Sequence, residues 1–140
     1  MNNDMNEHPD FEQRVAVVTG GAMGIGAQVC EYLAAAGHLV LVADLDAQAA
    51  AATADRLTQA GGKALALAMD VGRPESIAQA FAQIERDFER CDILVNCAGI
   101  AKVFPFLDFP LDNFAATMNV NVTGTLLCAQ AAARLMLRRH

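Results

Sequence analysis

The chain has 140 residues, room for one domain with a substantial core. It is apolar and alanine-rich, without tryptophan and with a single tyrosine, Tyr32. A formal charge of −6, with no run of five basic residues, excludes the electrostatic footprint of a nucleic-acid binder. Residues 1–13 are polar and acidic and lack the basic start and apolar middle of a secretory signal. They read as a disordered leader, with the folded domain expected over residues 14–140. No run of roughly 18 apolar residues occurs, so no membrane span is expected and the chain reads as cytoplasmic. Cys30, Cys91, Cys97 and Cys128 form no C-x-x-C pair and have no histidine at metal-ligand spacing. They read as space-filling thiols in a reducing compartment, and no metal site is expected.

The elements follow in chain order. Val15-Ala16-Val17-Val18-Thr19 is a short β-branched run ending in glycines, the pattern of a buried strand. From Gly24 to Ala36 the pattern turns helical, with Ile25, Val29 and Leu33 on one face and Gly37 as a left-handed stop. Leu39–Ala43 is a second strand ending at Asp44. Asp46 is placed to cap a helix running to about Ala60, closed by Gly61-Gly62. Within it, Ala49–Ala52 reads as plain surface helix. Ala64–Met69 is a third strand, closed by Asp70. Pro74 suits a first helical turn, and Ile77, Phe81, Ile84 and Phe88 stripe the helix that follows. Asp92–Val95 is a fourth strand. After a loop holding Phe104, Pro105 and Phe106, Pro110 opens a last helical stretch expected to break near Gly124 and to run to about Leu137. Phe104, Phe106 and Phe109 suit either a substrate wall or packing within the loop.

Strands alternating with helices make an α/β protein: a doubly wound, Rossmann-type parallel sheet in the order 3-2-1-4. The chain ends before the position of a fifth strand. A ligand crevice is expected at the carboxyl ends of strands one and four, and the fourth strand is expected to present an open apolar edge.

The motif that carries most chemistry is Thr19-Gly20-Gly21-Ala22-Met23-Gly24-Ile25-Gly26, between a buried strand and a helix. Glycines there permit a tight turn and close backbone approach to a pyrophosphate, and the positive end of the helix faces it. The spacing is G-x-x-x-G-x-G. At the end of the second strand, Asp44 can accept both hydroxyls of an adenosine ribose and repels a 2′-phosphate. That favours NAD over NADP, since no arginine or lysine stands in the glycine turn or just after Asp44.

Thr19–Gly26 resembles the TGxxxGIG cofactor motif of the short-chain dehydrogenases/reductases. Asn96-Cys97-Ala98-Gly99 resembles that family's NNAG motif, with Cys97 where the second asparagine usually stands. Asp70-Val71 is similar to its adenine-contacting pair, and Asn121-Val122-Thr123-Gly124 to the segment that supplies its catalytic asparagine. The resemblance covers about residues 14–138. It implies that Gly20, Gly24, Ile25 and Gly26, preceded by Thr19, cradle the pyrophosphate. It implies that Asp44 holds the ribose and that Asp70 and Val71 flank the adenine. Asn96, Ala98 and Gly99 would then border the cofactor, with Ile100 toward the nicotinamide. Asn121 would bend its helix and order a water in a proton relay. The residues themselves leave open that Asn121 is only a structural hydrogen-bond partner, and Asn119 reads as polar surface. The last helix would pack between the subunits of a homo-oligomer.

The resemblance implies an oxidoreductase moving hydride between nicotinamide and a small alcohol or ketone. The family's acid–base pair, the tyrosine and lysine of YxxxK, has no counterpart here. Tyr32 lies on the first helix, and the only lysines are Lys63 and Lys102. The chain therefore reads as the cofactor-binding part of a longer enzyme, or as a catalytically inactive NAD-binding module or truncated paralogue. A Rossmann methyltransferase also uses a glycine loop and an acid after strand two, but NCAG, NVTG and the glycine spacing count against it. A P-loop nucleotidase is excluded, because no Gly-Lys-Ser/Thr follows the glycines.

Overall fold

The computed structural model describes residues 12–138. Most of the expected leader, residues 1–11, lies outside the described residues. Its last two residues are tied to the body: Glu12 pairs with Arg90 (2.8 Å) and the Gln13 amide donates to the Gly37 carbonyl (3.2 Å).

Four parallel strands, β1 (Val15–Thr19), β2 (Leu39–Asp44), β3 (Lys63–Ala68) and β4 (Ile93–Asn96), form one sheet in the expected order β3-β2-β1-β4. The register pairs Thr19 with both Ala43 and Asn96, and Asp44 with Ala68. All four carboxyl ends therefore lie along one border. The residues just beyond them (Gly20, Leu45, Met69 and Cys97) meet there. β3 and β4 each begin or end one residue from the expected bounds. Both are sheet edges among the described residues, where burial marks strand limits less sharply.

Helices α1 (Gly24–Ala35) and α2 (Ala47–Gln59) cover one face of the sheet. Val18, Val40 and Val42 meet Cys30, Ala34, Ala50, Ala54 and Leu57 there. Asp46 caps α2 as expected, its carboxylate accepting from the Ala49 N–H at 3.0 Å. Two expectations are corrected on this face. Of the face Ile25–Val29–Leu33, Val29 and Leu33 pack partly buried against the core but Ile25 is 80% exposed, and the buried side chains of α1 are Ala27, Cys30 and Ala34. The tight turn brings the α1 backbone too near the sheet for large side chains. Ala50, expected at the surface, is fully buried, in the cluster with Val40 and Val42 on the sheet side of α2.

The other face carries α3 (Pro74–Phe88) and α5 (Thr125–Leu137). Ile77, Phe81 and Ile84 are buried as their spacing predicts, with Phe88 partly buried beside them. They pack with Val17, Leu41, Cys128, Ala132 and Leu135. α4 (Leu111–Met118) opens after Pro110 and does not break at Gly124. It passes through a wider π-type turn, Asn119–Gly124, into α5. The most apolar 18-residue stretch of the continuous helix Leu111–Leu137 has a mean hydropathy of 1.2, and the helix is long and apolar enough, by length and composition alone, to cross a membrane. In its α5 half, Cys128, Ala132 and Leu135 are buried in the core cluster on this face of the sheet. Phe104 and Phe109 stack edge-to-face, centroids 5.3 Å apart, so these two pack within their loop.

At the amino end of the sheet, Asp92 holds three groups. It accepts the Val15 N–H at 2.8 Å and a two-pronged contact from Arg90 at 2.6 and 2.9 Å. Asp92→Ala leaves a strand N–H without its acceptor and the partly buried Arg90 guanidinium with Glu12 as its remaining carboxylate. The expected loss is about 2 kcal/mol of unfolding free energy in urea titration. A loss within error of zero would contradict this role.

Candidate functional site

The border of carboxyl ends opens into a cleft of about 430 Å³, the size range of small-ligand sites. Its first wall is the glycine turn. Gly20 has φ +62°, and a Cβ there would stand 2.8 Å from the Ala98 backbone. A Cβ on Gly26 would stand 2.0 Å from the Gly20 carbonyl oxygen, so α1 starts hard against the turn. Gly24 also has positive φ, +57°, with open space around it. The turn is anchored from behind. The Gly21 N–H donates to the Ala43 carbonyl (3.0 Å) and the Thr53 hydroxyl to the Ala22 carbonyl (2.8 Å). Met23, at the N-cap of α1, gives no side-chain cap, and the first turn carries no acidic residue. The N–H groups of that turn remain free to meet an anion.

The second wall is the end of β2. Asp44 Oδ2 accepts the Ala22 N–H (3.1 Å) and Oδ1 the Asp46 N–H (3.0 Å). A carboxylate offers about four acceptor positions, so two remain for a ligand. Leu45 lies beside it, and the Asp44 carbonyl accepts the Met69 N–H (3.0 Å), joining this wall to the end of β3.

The third wall is the turn Asp70-Val71-Gly72. The Asp70 carboxylate accepts the Gly72 N–H (2.8 Å), and the Asp70 N–H donates to Ser76 Oγ (2.9 Å). From the π-type turn, Asn119 Nδ2 donates to the Gly72 carbonyl (2.7 Å). Gly124 lies so close that a Cβ would stand 2.5 Å from the Val71 carbonyl oxygen. Asn119 is thus a tether between helix and turn, not free polar surface.

The fourth wall is Cys97-Ala98-Gly99-Ile100. Thr19 is buried behind it, its hydroxyl accepting the Ala98 N–H (3.1 Å). Asn121 closes a two-bond clamp on Ile100: Oδ1 accepts its N–H and Nδ2 donates to its carbonyl, both at 2.8 Å. Both polar atoms of the Asn121 side chain are therefore engaged with backbone.

Of the residues singled out from sequence, Gly20, Ile25, Gly26, Asp44, Asp70, Val71, Ala98, Gly99 and Ile100 line the cleft. Thr19 supports it from below, and Gly24, Asn96 and Asn121 are not among the lining residues. Sequence reasoning passed over Met23, Leu45, Met69 and Val120, apolar side chains that reach the cleft only because of where the strands end. It also passed over Thr53 and took Asn119 for polar surface. Their one signal is polar character at a helix position facing a loop.

A parallel sheet in this order, with a glycine turn leading into a helix at its carboxyl border, belongs to the Rossmann class of nucleotide-binding domains. The short chain dehydrogenase profile matches residues 14–140, and the chain belongs to that family of nicotinamide-dependent oxidoreductases. It is 38% identical over 128 residues to the short-chain reductase protein NovJ of Streptomyces niveus, covering 91% of this chain and 49% of that one. It is 37% identical over 127 residues to D-threitol dehydrogenase of Mycolicibacterium smegmatis, covering 91% and 49%. The crystal structure of a short-chain type dehydrogenase/reductase from Mycobacterium marinum superposes with a TM-score of 0.85 at 39% identity, over 90% of this chain and 50% of that one. The chain spans about half the length of these relatives.

The cysteines divide by environment. Burial pushes the Cys30 thiol up to about 12, helped by the nearby Cys97, and pushes Cys91 and Cys128 up to about 11. Cys97 alone is partly exposed, at the cleft. On unfolding, the three buried thiols return to ordinary values near 9. Between pH 9 and 11 the unfolded chain then binds fewer protons than the folded one, so stability falls as pH rises through that window. Urea melts in reductant at pH 8.5 and 10.5 check this, and equal midpoints would refute it.

Proposed function

We propose that residues 14–140 form the NAD-binding half of a short-chain oxidoreductase that converts an alcohol or ketone. Asp44 carries the proposal: a carboxylate with acceptor capacity to spare, on the cleft wall beside a cation-free glycine turn. Two ribose hydroxyls fit its remaining acceptor positions. A 2′-phosphate would set two negative charges against it with no lysine or arginine to offset them. NAD is therefore preferred over NADP.

The residues present fit that cofactor by donor chemistry. The uncapped first turn of α1, with Gly20, Gly24, Ile25 and Gly26, would hold the pyrophosphate. Asp70 and Val71 would border the adenine. Asn96, Ala98, Gly99 and Ile100, with Thr19 beneath and Asn121 clamping Ile100, would border the nicotinamide side. Bound NAD would supply the hydride acceptor. These residues bind and orient it, and the proton transfer falls to an acid–base pair outside this set. Tyr32 is exposed on the flank of α1, outside the cleft. That favours a second reading for these residues taken alone, an NAD-binding module without acid–base chemistry. The cytoplasm, with its NAD pool, is the compartment that either reading suits.

Titration of the chain with NADH and NADPH, read by cofactor fluorescence or calorimetry, tests the proposal. NADH should saturate, NADPH should bind at least about tenfold more weakly, and Asp44→Ala should abolish the difference. Equal affinities in the wild-type chain would sink the NAD assignment.

A second copy of the chain is the partner proposed for the long helix. Leu111, Phe114, Met118, Val122 and Leu126 recur at steps of three and four along it, and all are exposed. Light scattering should give at least a dimer, and Phe114→Glu with Met118→Glu should shift the mass toward the monomer. A wild-type monomer would refute it.

A further inference from the structure

We infer that Asn119 is a positioning residue for the adenosine end of the cleft, acting through the turn Asp70-Val71-Gly72. The inference rests on the NAD reading above and adds a residue to it. The π-type turn Asn119–Gly124 grips two walls of the cleft at once. Asn121 holds Ile100 on one side, and Asn119 holds the Gly72 carbonyl at 2.7 Å on the other. The third-wall turn has few other anchors. It is short, it contains a glycine, and its backbone is otherwise fixed by Asp70 taking the Gly72 N–H, by Ser76 taking the Asp70 N–H and by the Arg73 N–H donating to the Asp70 carbonyl. All three of those bonds come from the turn itself or the start of α3. Asn119 is the hydrogen bond that fixes the turn against the helix across the cleft. Val120 follows it, lines the cleft, and would stand 3.3 Å from a Cβ on Gly72.

The turn bears on the adenosine end because it continues the wall that Asp44 begins. The Asp44 carbonyl accepts the Met69 N–H, and Met69, Asp70 and Val71 line the cleft in succession from there. The Gly72 carbonyl held by Asn119 and the Gly72 N–H held by the Asp70 carboxylate flank one Cα, so displacing that carbonyl shifts the N–H and, through it, Asp70 and Val71. Asn119 cannot be replaced by an acid of the same shape. Its Nδ2 donates to a carbonyl, and a carboxylate oxygen there would meet the lone pairs of the Gly72 oxygen.

The test is titration of the chain with AMP and with NADH in four forms: wild type, Asn119→Ala, Asn119→Asp and Ile84→Val. Ile84 is fully buried in the core away from the cleft, so its truncation controls for general loss of stability. Loss of one neutral hydrogen bond corresponds to about fivefold weaker binding. Asn119→Ala and Asn119→Asp should weaken AMP and NADH alike by about that factor, while Ile84→Val keeps wild-type affinities. Unchanged AMP affinity in both Asn119 variants overturns the inference alone, as does an equal loss in Ile84→Val. A wild-type chain that binds neither AMP nor NADH overturns the NAD reading, and this inference with it.

Discussion

The cleft depends on a steric constraint between backbones. A Cβ on Gly26 would lie 2.0 Å from the Gly20 carbonyl oxygen, and one on Gly20 would lie 2.8 Å from Ala98. No side chain larger than hydrogen fits at either place, so the first turn of α1, the end of β1 and the segment after β4 can touch only as bare main chain. This contact points the start of α1 into the crevice. It also sets how near α1 lies to the sheet, and hence why alanine and cysteine, not leucine, fill the space beneath it. The anchors behind the turn matter because glycine is conformationally free. The Ala43 carbonyl, the Asp44 carboxylate and the Thr53 hydroxyl restrict what Gly20 to Ala22 would otherwise explore.

Asp44 has a double part in this arrangement. It links the glycine turn to the start of α2 by taking the Ala22 and Asp46 N–H groups, so its carboxylate is oriented before any ligand arrives. A preoriented acceptor loses less freedom on binding than a mobile one. The N-cap of α2 falls to Asp46, which leaves Asp44 free of that task. Two acidic residues two positions apart thus divide the work: Asp46 caps α2, and Asp44 joins the glycine turn to the start of that helix on the cleft wall.

How much of this was legible in the sequence follows from which forces act locally. β1, β2 and the strand order were legible because buried parallel strands read as β-branched runs closed by glycine or aspartate. The α3 stripe was legible because large apolar residues at helical spacing have only one place to go. The buried side of α1 was misleading, since periodicity weights large residues and the close approach at Gly26 reverses that weighting. Ala50 was missed because a run of four alanines has no large residue to mark its buried side. The π-type turn was foreshadowed only as a break near Gly124 and, through the family resemblance, as a bend at Asn121; its hydrogen-bond pattern was not. It goes with contacts distant in sequence: Gly124 against the Val71 carbonyl, Asn119 on Gly72 and Asn121 on Ile100. The site was therefore readable where it lies on strand ends and unreadable where it is held by a helix passing behind it.

Charge explains why backbone carries so much of the proposed recognition. The chain is acidic overall, and its cleft is lined by Asp44 and Asp70 with no lysine or arginine. A dinucleotide is itself anionic, so neither long-range attraction nor a charged side-chain contact favours its entry. What remains is short-ranged: unpaired N–H groups and the dipole at the start of α1, acceptor positions on Asp44, and apolar contact from Leu45, Met69 and Val71. Such terms fall off within a bond length or two. Binding of this kind discriminates by placement rather than by charge, and it is sensitive to small shifts of the walls. Tethers such as Asn119 and Asn121, which bond only to backbone, hold those walls in place.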